Sequence, residues 1–253
     1  MITRSQLRDI HGKGLPLHLL EQDYIQSLFL NELYSEDDSL VFKGGTYLKH
    51  AYGLDRFSED LDFTVYDEVN IERLMDGVSD RLKAYGVEAT VDKVEDEEIS
   101  FNGRLRYRGP LFTGSEKSIG SINIEISKRD DVFLEPEWTR LFFEYPELRV
   151  LSVLGLRKEE VLAEKLRALT SRSKGRDLYD IWFLLKQDTP VNKGLFLDKM
   201  EVVGGDHEVS LSISKKEWER DLDVLLVNPP KYEDIKKEVV RNLSEHGLDV
   251  FLG

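Results

Sequence analysis

The stretch LVFKGGTYLKHAYGLDRFSEDLDFTVY, residues 40–66, sets the expected fold of this chain. Its apolar runs, glycines and alternation predict four consecutive pieces: a strand over residues 40–42, a glycine turn over 43–46, a short helix over 47–52 and a second strand over 60–66. We therefore expect a strand–turn–helix–strand unit, and the chemistry predicted for this chain depends on how its polar residues are spaced along that unit.

The second strand carries two carboxylates on one face. Asp60 and Asp62 alternate with Leu61 and Phe63, so the pleat points both acids the same way, about 6–7 Å apart. Two negative charges at that distance are tolerated when a cation lies between or beyond them. Oxygen ligands suit Mg²⁺, which completes its shell with water and substrate phosphates. The pattern favours a magnesium site, and a solvated strand end with two exposed acids is the alternative.

The glycine turn favours phosphate binding. Gly44 and Gly45 have no Cβ, so their backbone N–H groups can approach a phosphate, and the helix that opens at Thr46 aims its positive end at the same place. A Gly-Gly pair alone also fits an ordinary tight turn. Beside an Asp-x-Asp strand it favours a site for a nucleoside triphosphate.

Three polar residues flank this unit. Ser58 lies two residues before Asp60, where its hydroxyl could contact a phosphate or accept a transferred group; a turn serine bonded to its own backbone is the alternative. Lys43 and Arg56 could neutralise a triphosphate, and Arg56 has the better geometry for paired hydrogen bonds to phosphate.

The segments FKGGT, YGL-x-RFS and DLDF resemble the AbiEii-type nucleotidyltransferase toxins, a branch of the DNA polymerase β-like superfamily. Shorter runs extend the resemblance over much of residues 17–185: EQDY at residues 21–24, EKLRAL at 164–169 and RDLYD at 176–180. The resemblance implies a nucleotidyltransferase that uses Mg²⁺, with two ions expected, to move a nucleoside monophosphate from a triphosphate to an acceptor hydroxyl. It also implies an RNA acceptor, tRNA in this branch, and the role of toxin in a toxin–antitoxin or abortive-infection pair with a cognate antitoxin.

The resemblance also implies a third acid on a neighbouring strand, which holds metal and accepts the acceptor's proton. In INIEIS, residues 122–127, the isoleucines face the core and Glu125 faces the opposite way, so Glu125 is the candidate third metal ligand and the candidate general base. An acid alternating with isoleucines is also what any half-buried strand looks like.

Two helical segments supply further candidates through the resemblance. Lys165, within EKLRAL, is expected to contact the nucleotide phosphates; its own helix offers no acid one turn away, and a solvated lysine is the alternative. Asp180, the last acid of RDLYD, is expected in the active site. Asp177 is a second choice, since it is also suited to cap that helix.

Composition limits the possible partners. The chain has 253 residues, a net charge of −14 and no cysteine, which excludes disulfides, thiol catalysis and zinc–thiolate sites and is typical of a cytoplasmic protein. No apolar stretch approaches membrane-spanning length, so no membrane partner is expected.

The acidic balance excludes a broad basic surface for nucleic acid. A local patch of Arg104, Arg106 and Arg108 is the candidate acceptor-binding surface, and an edge strand guarded by positive charge is its alternative.

The predicted fold class is α+β, with a mixed-sheet nucleotidyltransferase core followed by a C-terminal helical domain. We expect an α/β domain over residues 1–150 and a helical domain over 151–253. Helices are predicted at residues 17–33, 71–84, 159–172, 176–186, 215–226 and 232–245. Two other functions remain open: a kinase-like phosphotransferase acting on itself or another protein, and a non-catalytic module that binds a nucleotide or partner.

Overall fold

A computed structural model describes residues 1–11, 15–129, 131–148, 150–205 and 208–252. The chain forms two compact units, one made of Met1–Val132 with Pro136–Gly155 and the other of Phe133–Glu135 with Leu156–Gly253. Among the described helices, none combines the length and the apolar character needed to cross a bilayer.

The first unit contains the strands and helices of the predicted core. Its helices are α1 (Arg4–His11), α2 (Leu17–Glu36), α3 (Gly44–Tyr52) and α4 (Ile71–Arg81). Its strands are β1 (Leu40–Lys43), β2 (Leu61–Val65), β3 (Glu88–Asp96), β4 (Ser100–Arg108), β5 (Gly120–Ser127), β6 (Glu137–Leu141) and β7 (Leu151–Gly155).

These strands form one seven-stranded mixed sheet in the order β3-β4-β5-β2-β1-β7-β6. β2 is antiparallel to β1 on one side and parallel to β5 on the other, and β1 is parallel to β7. The predicted α+β fold class with a mixed sheet is confirmed. The decisive consequence for function is that β2 lies centrally, between β1 and β5.

The two faces of the sheet differ in polarity, as the alternation predicts. Leu61 and Phe63 of β2 are buried, as are all three isoleucines of β5, and α2 packs against β5 and β7. Each such buried side chain contributes about 1.5–3 kcal/mol of transfer free energy. The alternate residues of β2 and β5, among them Asp62 and Glu125, therefore lie on the other face.

The second unit is mainly helical. Its elements are α5 (Lys158–Arg172), α6 (Gly175–Lys186), α7 (Lys193–Glu201), β8 (Val209–Leu211), α8 (Lys215–Leu222), α9 (Tyr232–Glu245) and β9 (Val250–Leu252). α5 packs against α6 and α7, and α6 packs against α8 and α9. β8 and β9 pair in parallel as a small second sheet, which the helical pattern did not predict.

Two local differences from the sequence prediction matter. The predicted glycine turn is instead the first turn of α3, because Lys43 is still extended and Gly44, at φ +77°, already begins the helix. Residues 151–155 pair as β7 in the sheet of the first unit, just beyond the domain division predicted after residue 150. That division, as a boundary between independent domains, stays a prediction.

Candidate active site

Asp62 and Gly44 lie in direct contact. Lys43, the last residue of β1, pairs with Asp62 in the antiparallel register, so the chain enters α3 directly beside the Asp62 side chain. A Cβ added at Gly44 would lie only 1.9 Å from Asp62 Oδ2, and the φ of +77° disfavours any other residue there. The first backbone amides of a helix have no hydrogen-bond acceptor within that helix. In α3 these amides therefore lie next to the Asp62 carboxylate.

The loop before β2 wraps over the same helix end. A Cβ at Gly45 would lie 2.5 Å from Arg56 Nη2 and 2.6 Å from Ser58 Oγ. Arg56 is almost fully buried and donates a 2.8 Å hydrogen bond to the Phe57 carbonyl, while the Thr46 hydroxyl donates to the Asp60 carbonyl at 2.5 Å. Glycine is thus needed at both positions, because Asp62, Arg56 and Ser58 all lie close to the start of α3. The phosphate contacts expected of Ser58 and Arg56 stay predictions.

The polar face of α2 holds this loop in position. Gln22 and Gln26 donate side-chain hydrogen bonds to the carbonyls of Glu59 and Ser58, at 2.6 and 3.1 Å. The loop that carries Ser58 and leads into Asp60 is therefore anchored by a helix from the start of the chain.

Asp23 ties α2 to α3 through a buried charge. Its carboxylate pairs with Lys49, lies 3.4 Å from His50 Nε2 and accepts a 2.7 Å hydrogen bond from the Tyr145 hydroxyl. Burial alone would raise the pKa of Asp23, but Lys49 and His50 outweigh burial and hold that pKa well below its usual range. Asp23 is therefore a charged structural anchor for the helix that begins at Gly44.

β5 brings two polar side chains to the same sheet face. Because β2 and β5 are parallel with Asp62 opposite Glu125, Asn123 stands opposite Asp60, and its Nδ2 donates a 3.0 Å hydrogen bond to Asp60 Oδ1. Glu125 is exposed. In the described part of the chain, no three His, Cys, Asp or Glu side chains are gathered closely enough to hold a metal ion by themselves.

The three arginines of β4 share this sheet face, and two of them have acidic partners. Arg106 lies 3.8 Å from both Asp92 and Glu116, and Arg108 pairs with Glu88. Arg104 instead donates its Nε–H to Asn123 Oδ1 at 3.4 Å. The predicted basic patch is a surface of mixed charge, and it borders an open cleft of ≈ 750 Å³ at Arg106 and Arg108.

In the second unit, Lys165 lies between two buried aspartates of the next helix. Its Nζ is 2.8 Å from Asp180 Oδ2 and 3.4 Å from Asp177 Oδ1. Asp177 also accepts two hydrogen bonds from Arg172, at 2.8 and 2.9 Å. Asp177 lies inside the first turn of α6, and Lys174 occupies the N-cap position, so the predicted capping role of Asp177 is wrong. The phosphate contact of Lys165 and the catalytic role of Asp180 stay predictions.

Comparison with known proteins identifies the family. Residues 28–252 match the family described as the nucleotidyl transferase AbiEii toxin of type IV toxin–antitoxin systems. The chain belongs to the AbiEii nucleotidyltransferase toxin family. Comparison with curated proteins gave no match.

Solved structures show the same fold as this AbiEii toxin. MenT4, a nucleotidyltransferase toxin from Mycobacterium tuberculosis, is 21% identical with a TM-score of 0.71, over 96% of this chain and 89% of that one. JHP933 from Helicobacter pylori is 23% identical with a TM-score of 0.62, over 92% of this chain and 94% of that one. At sequence identities of 21% and 23%, the similarity to these structures shows a shared fold and nothing more.

Sequence reasoning missed two polar features of this AbiEii toxin. One is Asn123, which carries no motif and becomes visible only when the register of β2 and β5 is known. The other is a buried cluster in the second unit, where Lys199 Nζ lies 2.7 Å from Glu160 and 3.2 Å from Glu164. Glu160 also accepts hydrogen bonds from the backbone amides of Phe133 and Leu134, both at 2.8 Å.

Proposed function

We propose that this AbiEii toxin is a Mg²⁺-dependent enzyme that transfers a nucleoside monophosphate from a triphosphate to a hydroxyl of RNA, with tRNA as the acceptor. The observation that carries the proposal is the contact between Asp62 and Gly44. This contact places a carboxylate, a group that binds Mg²⁺, beside the backbone amides at the start of α3. Backbone amides at the start of a helix are suited to binding phosphate.

The donor set fits magnesium. Asp60 and Asp62 offer carboxylate oxygens on one face, and Glu125 stands across from Asp62 on the neighbouring strand. Mg²⁺ is commonly held by one or two carboxylates together with waters and substrate phosphates, so a metal that arrives with the nucleotide needs no preassembled cage of three protein ligands. Asp60, Asp62 and Glu125 would hold the ions, which would neutralise charge developing on the phosphates.

The first turn of α3 would bind the triphosphate. The backbone amides at Gly44 and Gly45 carry the positive end of the helix dipole, and the Ser58 hydroxyl lies at the same turn. Lys43 and Arg56 add positive charge on either side. Together these groups would hold the α-phosphate near the carboxylates and favour departure of pyrophosphate.

The transfer step is an in-line displacement of pyrophosphate by the acceptor hydroxyl. The acceptor hydroxyl oxygen forms a bond to the α-phosphorus, the bond from that phosphorus to the bridging oxygen breaks, and pyrophosphate leaves with the electron pair. The hydroxyl proton passes to Glu125, which is exposed on the reacting face. Holding the two reactants in line is the main contribution expected of the protein.

The acceptor surface would lie along β4. Arg104 and Arg106 are on the same sheet face as Asp60 and Asp62, and arginines are suited to a phosphate backbone. The overall charge of −14 means that this contact must be local and sensitive to salt. Membership of a type IV toxin–antitoxin family further implies an antitoxin that opposes the activity.

Radiolabelled triphosphates test the proposal. With total tRNA and Mg²⁺, label on the α-phosphate should appear in RNA, and label on the γ-phosphate should not. Asp60→Asn and Asp62→Asn should abolish transfer, as should chelation of the metal, whereas Asp67→Asn, an exposed acid beyond the end of β2, should leave transfer intact. Transfer of γ-label to protein would establish a phosphotransferase instead, and absence of any transfer with all four nucleotides would overturn the enzyme proposal.

A further inference from the structure

We infer that Asn123 is a positioning residue for Asp60 and that Arg104 holds Asn123 in the required orientation. The inference rests on the proposed function, because Asp60 is a metal ligand there. It assigns a role to an uncharged residue of β5 and gives Arg104, in addition to its proposed contact with RNA, a role that the other two arginines of its strand do not have.

The strand register puts Asn123 next to Asp60. Leu61 pairs with Ile124 across the parallel β2–β5 ladder, so the residues before them, Asp60 and Asn123, are also neighbours on the open face. Asn123 Nδ2 donates to Asp60 Oδ1 at 3.0 Å. A hydrogen bond to one carboxylate oxygen restricts rotation of the carboxylate and so limits the directions that the other oxygen can take.

Arg104 determines which end of the Asn123 amide faces Asp60. A guanidinium can only donate, so the amide end near Arg104 must be the acceptor Oδ1, and that contact is 3.4 Å. The opposite end, which faces Asp60, is then the donor NH₂ group. The two contacts are mutually consistent, and a flipped amide would put donor against donor and oxygen against carboxylate.

The other two arginines of β4 have different surroundings. Arg106 has Asp92 and Glu116 within 3.8 Å, and Arg108 pairs with Glu88. Of these three arginines, Arg104 is the one that contacts Asn123, which in turn is hydrogen-bonded to the proposed metal ligand Asp60. Outer groups that orient metal ligands commonly change metal affinity or activity by about 10–100-fold when removed.

Metal binding, measured apart from turnover, tests this role. Mn²⁺ binding is followed by electron paramagnetic resonance in the presence of the α,β-methylene analogue of each ribonucleoside triphosphate. Asn123→Ala should weaken Mn²⁺ binding by about 10–100-fold and lower kcat by a similar factor, with the KM for RNA unchanged. Asn123→Gln, which keeps an amide donor, should recover part of both losses.

A matched control comes from the next strand. Asn102 is an asparagine on the same sheet face, opposite Glu125, but its amide bonds to Glu95 at 3.2 Å. Asn102→Ala should therefore leave Mn²⁺ binding unchanged. Circular dichroism of every variant confirms that the fold is retained before binding is compared.

Arg104→Ala separates positioning from RNA contact. Loss of positioning weakens Mn²⁺ binding in the absence of RNA, whereas loss of an RNA contact alone raises the KM for RNA and leaves Mn²⁺ binding unchanged. The inference is overturned if folded Asn123→Ala or Arg104→Ala binds Mn²⁺ as the wild type does. Transfer of α-label by the wild-type protein is measured in the same preparation. Failure of this inference is therefore distinguished from failure of the proposed function.

Discussion

Lys165 Nζ lies 2.8 Å from Oδ2 of Asp180, and the carboxylate of Asp180 is completely buried. The same ammonium group lies 3.4 Å from Asp177, which is also fully buried and which Arg172 compensates as well, so Lys165 is shared by two acids on the first turns of α6. A buried carboxylate without a compensating charge is strongly unfavourable. Lys165 thus links α5 to α6 through a buried ion pair, a structural contribution separate from the predicted contact with a nucleotide.

Replacement of Lys165 should destabilise the second unit. Lys165→Met removes the cation 2.8 Å from buried Asp180 and one of the two cations beside Asp177, which keeps Arg172, and we expect a loss of about 3–5 kcal/mol in the free energy of unfolding. Lys186→Met is the matched control, because Lys186 pairs with Glu238 at 2.9 Å but on the exposed surface, where about 0–1 kcal/mol is expected. Urea unfolding followed by far-UV circular dichroism measures both. Similar losses in the two variants would mean that the buried cluster has no special role.

The charge of Asp177 should make stability depend on acid pH. Burial alone would raise its pKa, but Lys165 and Arg172 outweigh burial and lower the pKa to about 2, from 3.8. The contribution of ionised Asp177 to the free energy of unfolding is therefore complete above about pH 4 and is lost as the pH falls toward 2. The lowering of the pKa corresponds to about 2 kcal/mol of that free energy.

Arg172→Gln isolates this contribution from that of other acids. The variant should be less stable than wild type at pH 7 by roughly 1–2 kcal/mol, since the guanidinium is partly exposed, and the difference should shrink as Asp177 becomes protonated below pH 4. Arg241→Gln, which removes an exposed pair with Glu245, serves as the control. Urea unfolding at pH 7, 4 and 2.5 checks the trend; a difference that grows toward acid would contradict the assigned pKa.

Much of the central unit was predictable because its signals are local. The alternation in DLDF fixes which face Asp60 and Asp62 share, and the short apolar run before Gly44 predicts β1. Asn70, a residue type that favours the position before a helix, caps α4 by accepting a hydrogen bond from the Arg73 amide. In each case, neighbouring residues alone determine the structure, so no knowledge of the tertiary fold was needed.

The remaining features depend on contacts between distant residues. The pairing of Asn123 with Asp60 follows from the β2–β5 register, and the partners of Lys165 come from another helix. β6 carries exposed Trp138 and Arg140 at the sheet edge, so its EWTRL sequence lacks the clear apolar pattern of a buried strand. β7 is recognisable as a sheet strand only once its place beside β1 is known.

The Lys199–Glu160 pair offers a test of coupling within the second unit. Lys199 is completely buried, 2.7 Å from Glu160, so Lys199→Met should cost about 3–5 kcal/mol by leaving Glu160 uncompensated. Glu160→Gln in the Lys199→Met protein should recover part of the stability, because it removes the buried charge and keeps one oxygen that accepts from one of the two backbone amides, while its NH₂ group faces the other. A double-mutant cycle by urea unfolding measures the coupling, and purely additive losses would show that the two charges act independently.

Two glycines at the ends of α3 separate backbone strain from contact with Asp62. Gly44 and Gly53 have almost the same φ, +77° and +76°, but a Cβ at Gly44 would lie 1.9 Å from Asp62 Oδ2, whereas a Cβ at Gly53 meets nothing within 4 Å. Gly53→Ala should cost only the backbone term, about 1–2 kcal/mol, and keep transfer activity. Gly44→Ala should cost more, because Asp62 must move, and should reduce α-label transfer by at least about 100-fold, the loss expected from misplacing a reacting group by about 1 Å. Thermal unfolding and labelling of tRNA are measured on both variants. Equal activity in the two would mean that the contact between Gly44 and Asp62 is not part of the reacting site.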